Sequence, residues 1–272
     1  MKKINNITLG CDPELFLERD GEIVSAIGLI GGSKDEPKPI SEKGHAIQED
    51  NVLMEFCIPP AKTVEEFTES INFVKNHLTI ITAAMGCKPN YSASAILAEK
   101  ELDSDKAKEF GCDPDFNVYT QGMNEPPNAE SNMRSAGGHI HIGFDKSEMT
   151  MEEADETVER LVKAMDMTVG LKSLALDKDD RRKELYGKAG CFRFKPYGME
   201  YRTPSNFWIA TDELIAWAWN TTYEAINLVN SGLVDELSDK YSEQIVKAIN
   251  ENNKSLAIEL LEKIGEYSLQ VA

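Results

Sequence analysis

Acidic residues and histidines occur in pairs two positions apart in this chain. Asp12 and Glu14 form one such pair, and His139 and His141 form another. Because the side chains of a β-strand alternate between its two faces, each pair would lie on one face, with apolar neighbours on the other. Two carboxylates at this spacing repel each other unless a cation lies between them. The spacing therefore indicates a site that binds a cation.

The same alternation occurs in two further segments. Glu200 and Arg202 are two apart, and Glu55 alternates with Met54 and Phe56. A solvated strand face ordinarily carries Lys, Thr and Ser, whereas these faces carry residue types that ligate metals. Several carboxylates with one or two imidazoles suit Mg²⁺ or Mn²⁺ better than structural zinc. We predict a cation site shared by four strands.

A basic segment at 180–206 surrounds Glu200. Only seven of the 29 Lys and Arg residues are Arg, and four of these seven fall between 181 and 202. The basic residues of this segment that could neutralise a polyphosphate are Arg181, Arg182, Lys188, Arg193, Lys195 and Arg202. Guanidinium groups match phosphoryl oxygens, and phosphoryl transfer needs both a metal and such cations. The segment therefore favours binding of a nucleoside triphosphate.

The hydrophobic pattern predicts which elements carry these residues. Helices are predicted at Val64–Ile81, Ala154–Val169, 211–230 and 241–264. Strands are predicted at 7–17, 22–30, 51–58, 113–119, 138–144 and 198–204. Long helices follow groups of strands, and strict alternation of strands and helices is absent. This order favours an α+β fold over a doubly wound parallel sheet.

The composition excludes several classes of protein. The formal charge is −18, which argues against binding to a nucleic-acid polymer or to an anionic lipid surface. No apolar run is long enough for a transmembrane helix, and the first residues lack the apolar core of a signal peptide. The five cysteines are an odd number and form no CxxC pair. These features predict a cytoplasmic protein with reduced thiols.

The motifs also resemble those of a known superfamily. Their order along the chain matches the glutamine synthetase-like ligases, and most closely the phage-type carboxylate–amine ligases, or amidoligases. The similar segments are the acidic first strand at Gly10–Leu17, the second-strand motif at Asp50-Asn51 with Glu55-Phe56 and Pro59-Pro60, the histidine motif at Gly137–His141, and the Glu-x-Arg strand at Met199–Pro204.

The resemblance implies a fold and an activity. The fold would be α+β, with a curved, mainly antiparallel sheet, helices packed on its convex face and ligands on its concave face. One catalytic domain would span 1–272, with 207–272 helical and without a motif. The enzyme would use ATP and two or more Mg²⁺ or Mn²⁺ ions. It would join a small-molecule or peptide carboxylate to an amine through an acyl phosphate, in the host cytoplasm if a phage encodes it.

The resemblance also implies roles for individual residues. One ion would be held by Glu14 and Glu55, together with Glu49 or Asp50, and the other by Asp12, His139 and Glu200. The transferred phosphate would be held by Arg202 and Arg193, which act in catalysis with Glu200. Further candidates for contacts with ATP or substrate are Arg134, His141, Arg181 and Lys188.

Three other functions stay open at this point. A phosphotransferase acting on a guanidino or similar group could use the same scaffold. A zinc hydrolase could be built on His139 and His141. A metal-stabilised binding protein could keep the fold without turnover. The oligomeric state and the two substrates cannot be read from the sequence.

Overall fold

The computed structural model of this protein describes residues 2–108, 115–124 and 132–271. The strands are β1 (Thr8–Cys11), β2 (Glu14–Arg19), β3 (Glu22–Val24), β4 (Lys38–Pro39), β5 (Ala46–Asp50), β6 (Leu53–Cys57), β7 (Lys88–Asn90), β8 (Ser94–Ile96), β9 (Phe116–Asn117), β10 (Gly122–Met123), β11 (Met133–Ser135), β12 (Ile140–Gly143), β13 (Cys191–Lys195) and β14 (Gly198–Tyr201). The α-helices are α1 (Val64–Ala83), α2 (Asp105–Lys108), α3 (Met151–Met165), α4 (Leu171–Leu176), α5 (Arg182–Leu185), α6 (Asp212–Ser231), α7 (Val234–Asn250) and α8 (Lys254–Val271).

The described strands form two larger sheets and a small one. The first sheet has the order β1-β12-β14-β13-β9-β10, and the second has the order β3-β2-β6-β5-β4, with β7 added on β2. Strands β8 and β11 pair separately. All the named pairings are antiparallel, and helices accompany the sheets, so the prediction of an α+β fold is confirmed.

One continuous core joins the helices to one face of both large sheets. Leu9 and Met199 of the first sheet and Leu15 and Phe56 of the second belong to it, as do the inner residues of α1, α3, α6, α7 and α8. The ring of Phe67 on α1 stacks on Trp208, with ring centroids 5.9 Å apart. Because side chains alternate along each strand, the opposite face of the sheets carries the polar residues, beside a smaller apolar cluster that includes Phe16 and Leu53.

The helix predictions are confirmed in three cases and corrected in one. Helices α1 and α6 match the predicted segments, and α3 continues through a π-helical turn (Asp166–Gly170) into α4. The predicted helix 241–264 is in fact two helices, because the chain turns at Asn252, whose φ is 51°. Asn253 begins α8 by accepting a hydrogen bond from the Leu256 amide at 3.0 Å.

The predicted strand 7–17 is interrupted at Asp12 and Pro13. Residues before the break pair with β12 in the first sheet, and residues after it pair with β6 in the second. The prediction that Asp12 and Glu14 lie side by side on one strand is therefore wrong, because proline cannot continue a ladder of backbone hydrogen bonds. The break leaves Asp12 at the end of β1 in the first sheet and places Glu14 in the second sheet.

Other strand predictions differ from the structure in length or were missed. The segment 22–30 is a strand only at Glu22–Val24, and the segment 113–119 only at Phe116–Asn117, since 113–114 lie outside the described residues. Strands β5 and β13, which carry site residues, were not predicted. Three successive polar residues, Gln48–Asp50, hide the alternation of β5, whereas Phe192-Arg193-Phe194-Lys195 of β13 does alternate.

A buried carboxylate connects the helical layer to the strand that carries Glu200. Asp166 in the π-helical turn has no exposed surface, and it accepts hydrogen bonds from the Tyr201 hydroxyl at 2.5 Å and from the Gly190 amide at 2.7 Å. Burial raises the pKa of Asp166 to about 6, although these hydrogen bonds oppose the rise. The charged form of Asp166 is therefore disfavoured in the folded protein.

This raised pKa predicts a pH-dependent stability. The folded-state pKa lies about two units above that of an unfolded Asp. The free energy of unfolding is therefore highest below pH 4, falls by about 3 kcal/mol as the pH rises from 4 through 6, and changes little above that. Asp166→Asn should remove this fall from the free energy of unfolding, measured by urea denaturation between pH 4 and 7.5. Asp155→Asn, at an exposed position of α3, should retain it. Identical pH profiles for wild type and Asp166→Asn would contradict the account.

Candidate active site

The two glycines before His139 bring the two large sheets together. The Gly137 amide donates a hydrogen bond to the Glu14 carboxylate at 2.6 Å, and its carbonyl accepts one from the Glu14 amide at 2.9 Å. At Gly138 a Cβ atom would lie 2.3 Å from the Ser205 carbonyl oxygen and 2.5 Å from the Trp208 ring nitrogen. A larger residue there would push the histidine strand away from its neighbours.

The first group of ligand-type residues forms a row across the first sheet. His141 of β12 pairs with Glu200 of β14, and Glu200 pairs with Arg193 of β13. Asp12 follows the end of β1, and its carboxylate oxygen lies 3.1 Å from Nε2 of His141. Asp12, His141 and Glu200 each offer a ligand atom within 4.8 Å of the other two. These three residues can hold one metal ion.

The other histidine lies beside this group. Nδ1 of His139 is 3.1 Å from the Asp12 carboxylate and 3.6 Å from that of Glu200. His141 is oriented by Tyr197, whose hydroxyl lies 2.8 Å from Nδ1 and so leaves Nε2 toward Asp12. The assignment of a metal-ligand role to His139 stays a prediction, since the group of three potential ligands contains His141 and not His139.

Electrostatics in this group favour charged carboxylates. Burial alone would raise the pKa of Asp12, but His141 and His139 hold it well below its usual value. Burial and Asp12 likewise oppose ionisation of Glu200, yet Arg202 and the two histidines lower its pKa to about 2. Both carboxylates are therefore anionic at neutral pH, as metal ligands must be.

The second group lies on the facing part of the second sheet. Glu14 of β2 pairs with Glu55 of β6, and Glu55 pairs with Gln48 of β5, whose amide donates to its carboxylate at 2.7 Å. Burial and the neighbouring Asp12, Asp50 and Glu14 raise the pKa of Glu55 well above its usual value. Such crowding of carboxylates is relieved by a divalent cation.

The structure distinguishes between Glu49 and Asp50. Counting along the sequence would place Glu49 on the same face as Glu55. A two-residue turn joins β5 to β6, however, and the resulting register places Asp50 on the face of Glu55. Burial and then Glu14 raise the pKa of Asp50 to about 7. Glu49 points to the other face, where it accepts from the Gly31 amide at 2.9 Å and contacts Lys106 at 3.1 Å. Asp50 therefore belongs to the group, and Glu49 lies apart from it.

Cations surround Glu200. Nζ of Lys195 is 2.7 Å from one of its oxygens, and Arg202 and Arg193 contact the other, with Arg193 at 3.9 Å. Nε of Arg202 also lies 2.6 Å from Asp115. The two arginines predicted to hold phosphate are thus placed at the site, next to acidic partners that fix their positions.

The other predicted ligand-binding residues divide between the site and its surroundings. Arg134 is buried and lines the same cavity as Glu14, Asp50 and Arg202. Arg181 is exposed, and its guanidinium donates to the Ser94 hydroxyl at 3.2 Å, outside this cavity. Lys188 does not line the cavity, and its carbonyl accepts from the Thr203 hydroxyl at 2.9 Å. The structure therefore brings Arg134 to the site and places Arg181 and Lys188 beyond it.

Sequence reasoning missed two residues of the site and left a third without a role of its own. Asp115 and Tyr197 belong to no motif, although Asp115 contacts Arg202 and Tyr197 contacts His141. Arg182 was named only as part of the basic segment, yet it is the member of the 181–182 pair that lines the cavity. Spacing could not choose between adjacent arginines, because the short helix that orients them has no clear period.

Comparison with known proteins supports the motif analysis. A family model described as phage phiEco32-like COOH.NH2 ligase-type 2 matches residues 129–266, just over half of the chain. The match spans the histidine motif, the Glu200 strand and the helices from α3 into α8. No curated protein matches the chain. Among the described residues, no helix is long and apolar enough to cross a membrane.

The matched region places the chain in the carboxylate–amine ligase class. The chain belongs to the phage phiEco32-like COOH.NH2 ligase-type 2 family, as the resemblance of its motifs predicted. The matched region begins after the Asp12 and Glu14 segment and includes most of the helical segment 207–272 that lacks a motif.

Crowding of the second group predicts how a divalent ion changes stability. Glu55→Gln removes a carboxyl group whose ionisation is disfavoured by burial and by its neighbours, so the variant should have a higher melting temperature than wild type without added metal. Saturating Mn²⁺ at about 100 times its Kd should stabilise wild type by about 3 kcal/mol and Glu55→Gln by much less.

Glu69→Gln, at an exposed position of α1, is the matched control and should gain as much from Mn²⁺ as wild type. An equal gain from Mn²⁺ in wild type and Glu55→Gln would remove Glu55 from the ion site.

Proposed function

We propose that this protein is an ATP-dependent ligase that joins a carboxylate to an amine through an acyl-phosphate intermediate. The observation that carries the proposal is that one cavity is lined by Glu14, Asp50 and His139 together with three arginines. Carboxylates that can hold divalent ions and an arginine that can bind phosphate, here Arg202, are the two components that phosphoryl transfer requires. Membership of a carboxylate–amine ligase family supports the same reaction.

The residues present fit divalent cations. Glu55 and Asp50 both have raised pKa values because they are buried near other carboxylates, which indicates an unbalanced negative charge. We expect one ion at Glu14, Asp50 and Glu55, and another at Asp12, His141 and Glu200, with His139 adjacent. Bound Mg²⁺ or Mn²⁺ would neutralise the charge on the phosphoryl oxygens of ATP.

The first step forms the acyl phosphate. An oxygen of the substrate carboxylate attacks the γ-phosphorus of ATP, the bond to the β-phosphate oxygen breaks, and ADP leaves. Arg202 and Arg193 lie beside Glu200, where their guanidinium groups can bind the transferred phosphoryl group. Asp115 holds Arg202 through Nε, so that its orientation is set before the ligand binds.

The second step forms the amide. The amine attacks the acyl carbon, phosphate leaves with the electrons of the carbon–oxygen bond, and the nitrogen gives up its proton to an ionised carboxylate. Phosphorylation is needed because the oxide of a free carboxylate is a poor leaving group. The polar face supplies carboxylates that can attract an ammonium group and accept the proton.

The proposal extends to the fold. Strands from two antiparallel sheets present their polar residues to one cavity, while the helices cover the opposite, apolar face. This arrangement supports a glutamine synthetase-like architecture, in which ligands bind on the face of the sheet that the helices leave open.

The role of Glu200 can be tested by phosphate release. Wild type with ATP, Mg²⁺ and mixtures of carboxylates and amines should release phosphate and yield a condensed product detected by mass spectrometry. Glu200→Gln should lower the rate by about 100-fold or more, because a ligand and the counter-charge of three cations are lost together. Glu262→Gln, on the exposed face of α8, should retain the wild-type rate.

The products decide between this reaction and its alternatives. Equal phosphate release by wild type and Glu200→Gln would remove Glu200 from the site. A phosphorylated acceptor without an amide would identify a phosphotransferase instead. Turnover that needs zinc but no ATP would favour a hydrolase that uses His139 and His141.

A further inference from the structure

Arg182 is a buried cation on the wall of the cavity. Only 4% of its surface is exposed, whereas the preceding Arg181 is exposed and donates a hydrogen bond to the Ser94 hydroxyl. The Arg182 guanidinium donates to the Thr203 carbonyl at 2.8 Å and to the Arg202 carbonyl at 3.4 Å. These backbone contacts fix the guanidinium beside the strand that carries Glu200 and Arg202.

The local chain is built to place this side chain. The Asp179 carboxylate accepts hydrogen bonds from the Arg182 amide at 2.8 Å and from the Arg181 amide at 2.9 Å, which sets the start of α5. Gly187 has a φ of 74°, and a Cβ atom there would lie 1.8 Å from a terminal nitrogen of Arg182. Only glycine allows both this backbone conformation and this close approach.

The charge of Arg182 is not neutralised by an ion pair within the described part of the chain. No carboxylate there lies within 4.0 Å of its guanidinium, and its buried Nε has no hydrogen-bond partner. Arg202, by contrast, contacts both Asp115 and Glu200. A buried guanidinium without a carboxylate partner is costly, and an anionic ligand would offset that cost.

The surroundings of Arg182 suit a ligand with a carbon skeleton. The same cavity is lined by Leu53, Leu185 and Tyr186 and by a second arginine, Arg134. Apolar side chains next to guanidinium groups match an organic acid better than they match a polyphosphate, which is anionic along its whole length. Arg193 and Arg202 lie beside Glu200, where the reacting phosphoryl group is placed by the proposed function.

We propose that Arg182 binds an anionic oxygen group of the acid substrate, and that this substrate therefore carries a second carboxylate besides the one that reacts. The inference rests on the proposed function, because it assigns the reacting carboxylate to the ATP side of the cavity. A phosphate of ATP has the same oxyanion chemistry, so the test must separate the two ligands.

The test compares binding of two kinds of probe by calorimetry. Glutarate, succinate and L-glutamate serve as dicarboxylate probes, butyrate and propionate as monocarboxylate probes, and ADP with Mg²⁺ as the nucleotide probe. Wild type should bind at least one dicarboxylate more tightly than the monocarboxylates. Arg182→Gln should lower the affinity for that dicarboxylate by about tenfold or more and leave the affinity for ADP unchanged. Arg181→Gln should match wild type with every probe.

The proposal would be overturned if wild type bound no dicarboxylate more tightly than the monocarboxylates. It would also be overturned if Arg182→Gln lost affinity for ADP but kept its affinity for the dicarboxylate, or if the variant bound every probe as wild type does. If Arg182→Gln does not fold, Arg182→Lys is judged by the same criteria, because lysine keeps the charge but loses the guanidinium fork. Failure of wild type to bind ADP would count against the proposed function alone, since dicarboxylate binding is scored separately.

Discussion

The organisation of this protein depends on the repulsion among carboxylates buried on one face of two sheets. Asp12 and Glu200 belong to the first sheet, and Glu14, Asp50 and Glu55 to the second. The first pair is balanced by histidines and by basic side chains, so its carboxylates ionise readily. In the second set Asp50 and Glu55 are not balanced, and the raised pKa values of these two residues record the imbalance. Divalent cations and the phosphates they bind would resolve this difference between the two halves of the site.

The rest of the fold keeps these charges in position. The helices pack on the apolar faces of both sheets, opposite the face that carries these carboxylates. Gly137 and Gly138 allow the histidine strand to approach Glu14 on one side and Trp208 on the other. Asp166 connects the helical layer to Tyr201, between Glu200 and Arg202, so the site depends on packing well beyond its own side chains.

Alternation of residue types predicted much of this from the sequence. It identified His139, His141, Glu200 and Arg202 because their strands are regular and exchange apolar and polar positions at every step. It could not show that Pro13 divides a strand between two sheets, or that a two-residue turn brings Asp50 rather than Glu49 to the polar face. The first outcome depends on pairing between strands far apart in the sequence, and the second on the length of the turn between the consecutive strands β5 and β6. Asp115 and Tyr197 contact Arg202 and His141 across long stretches of sequence, so only the folded structure identifies them as partners.

The central claim is that the carboxylates of both sheets hold the cations of one ATP site. A crystal structure with Mn²⁺ and a non-hydrolysable ATP analogue, with manganese located by anomalous scattering, tests it most directly. We predict one peak among Asp12, His141 and Glu200, a second among Glu14, Asp50 and Glu55, and the triphosphate between these peaks and Arg202. Manganese bound elsewhere, or a nucleotide whose phosphates contact none of these residues, would contradict the account.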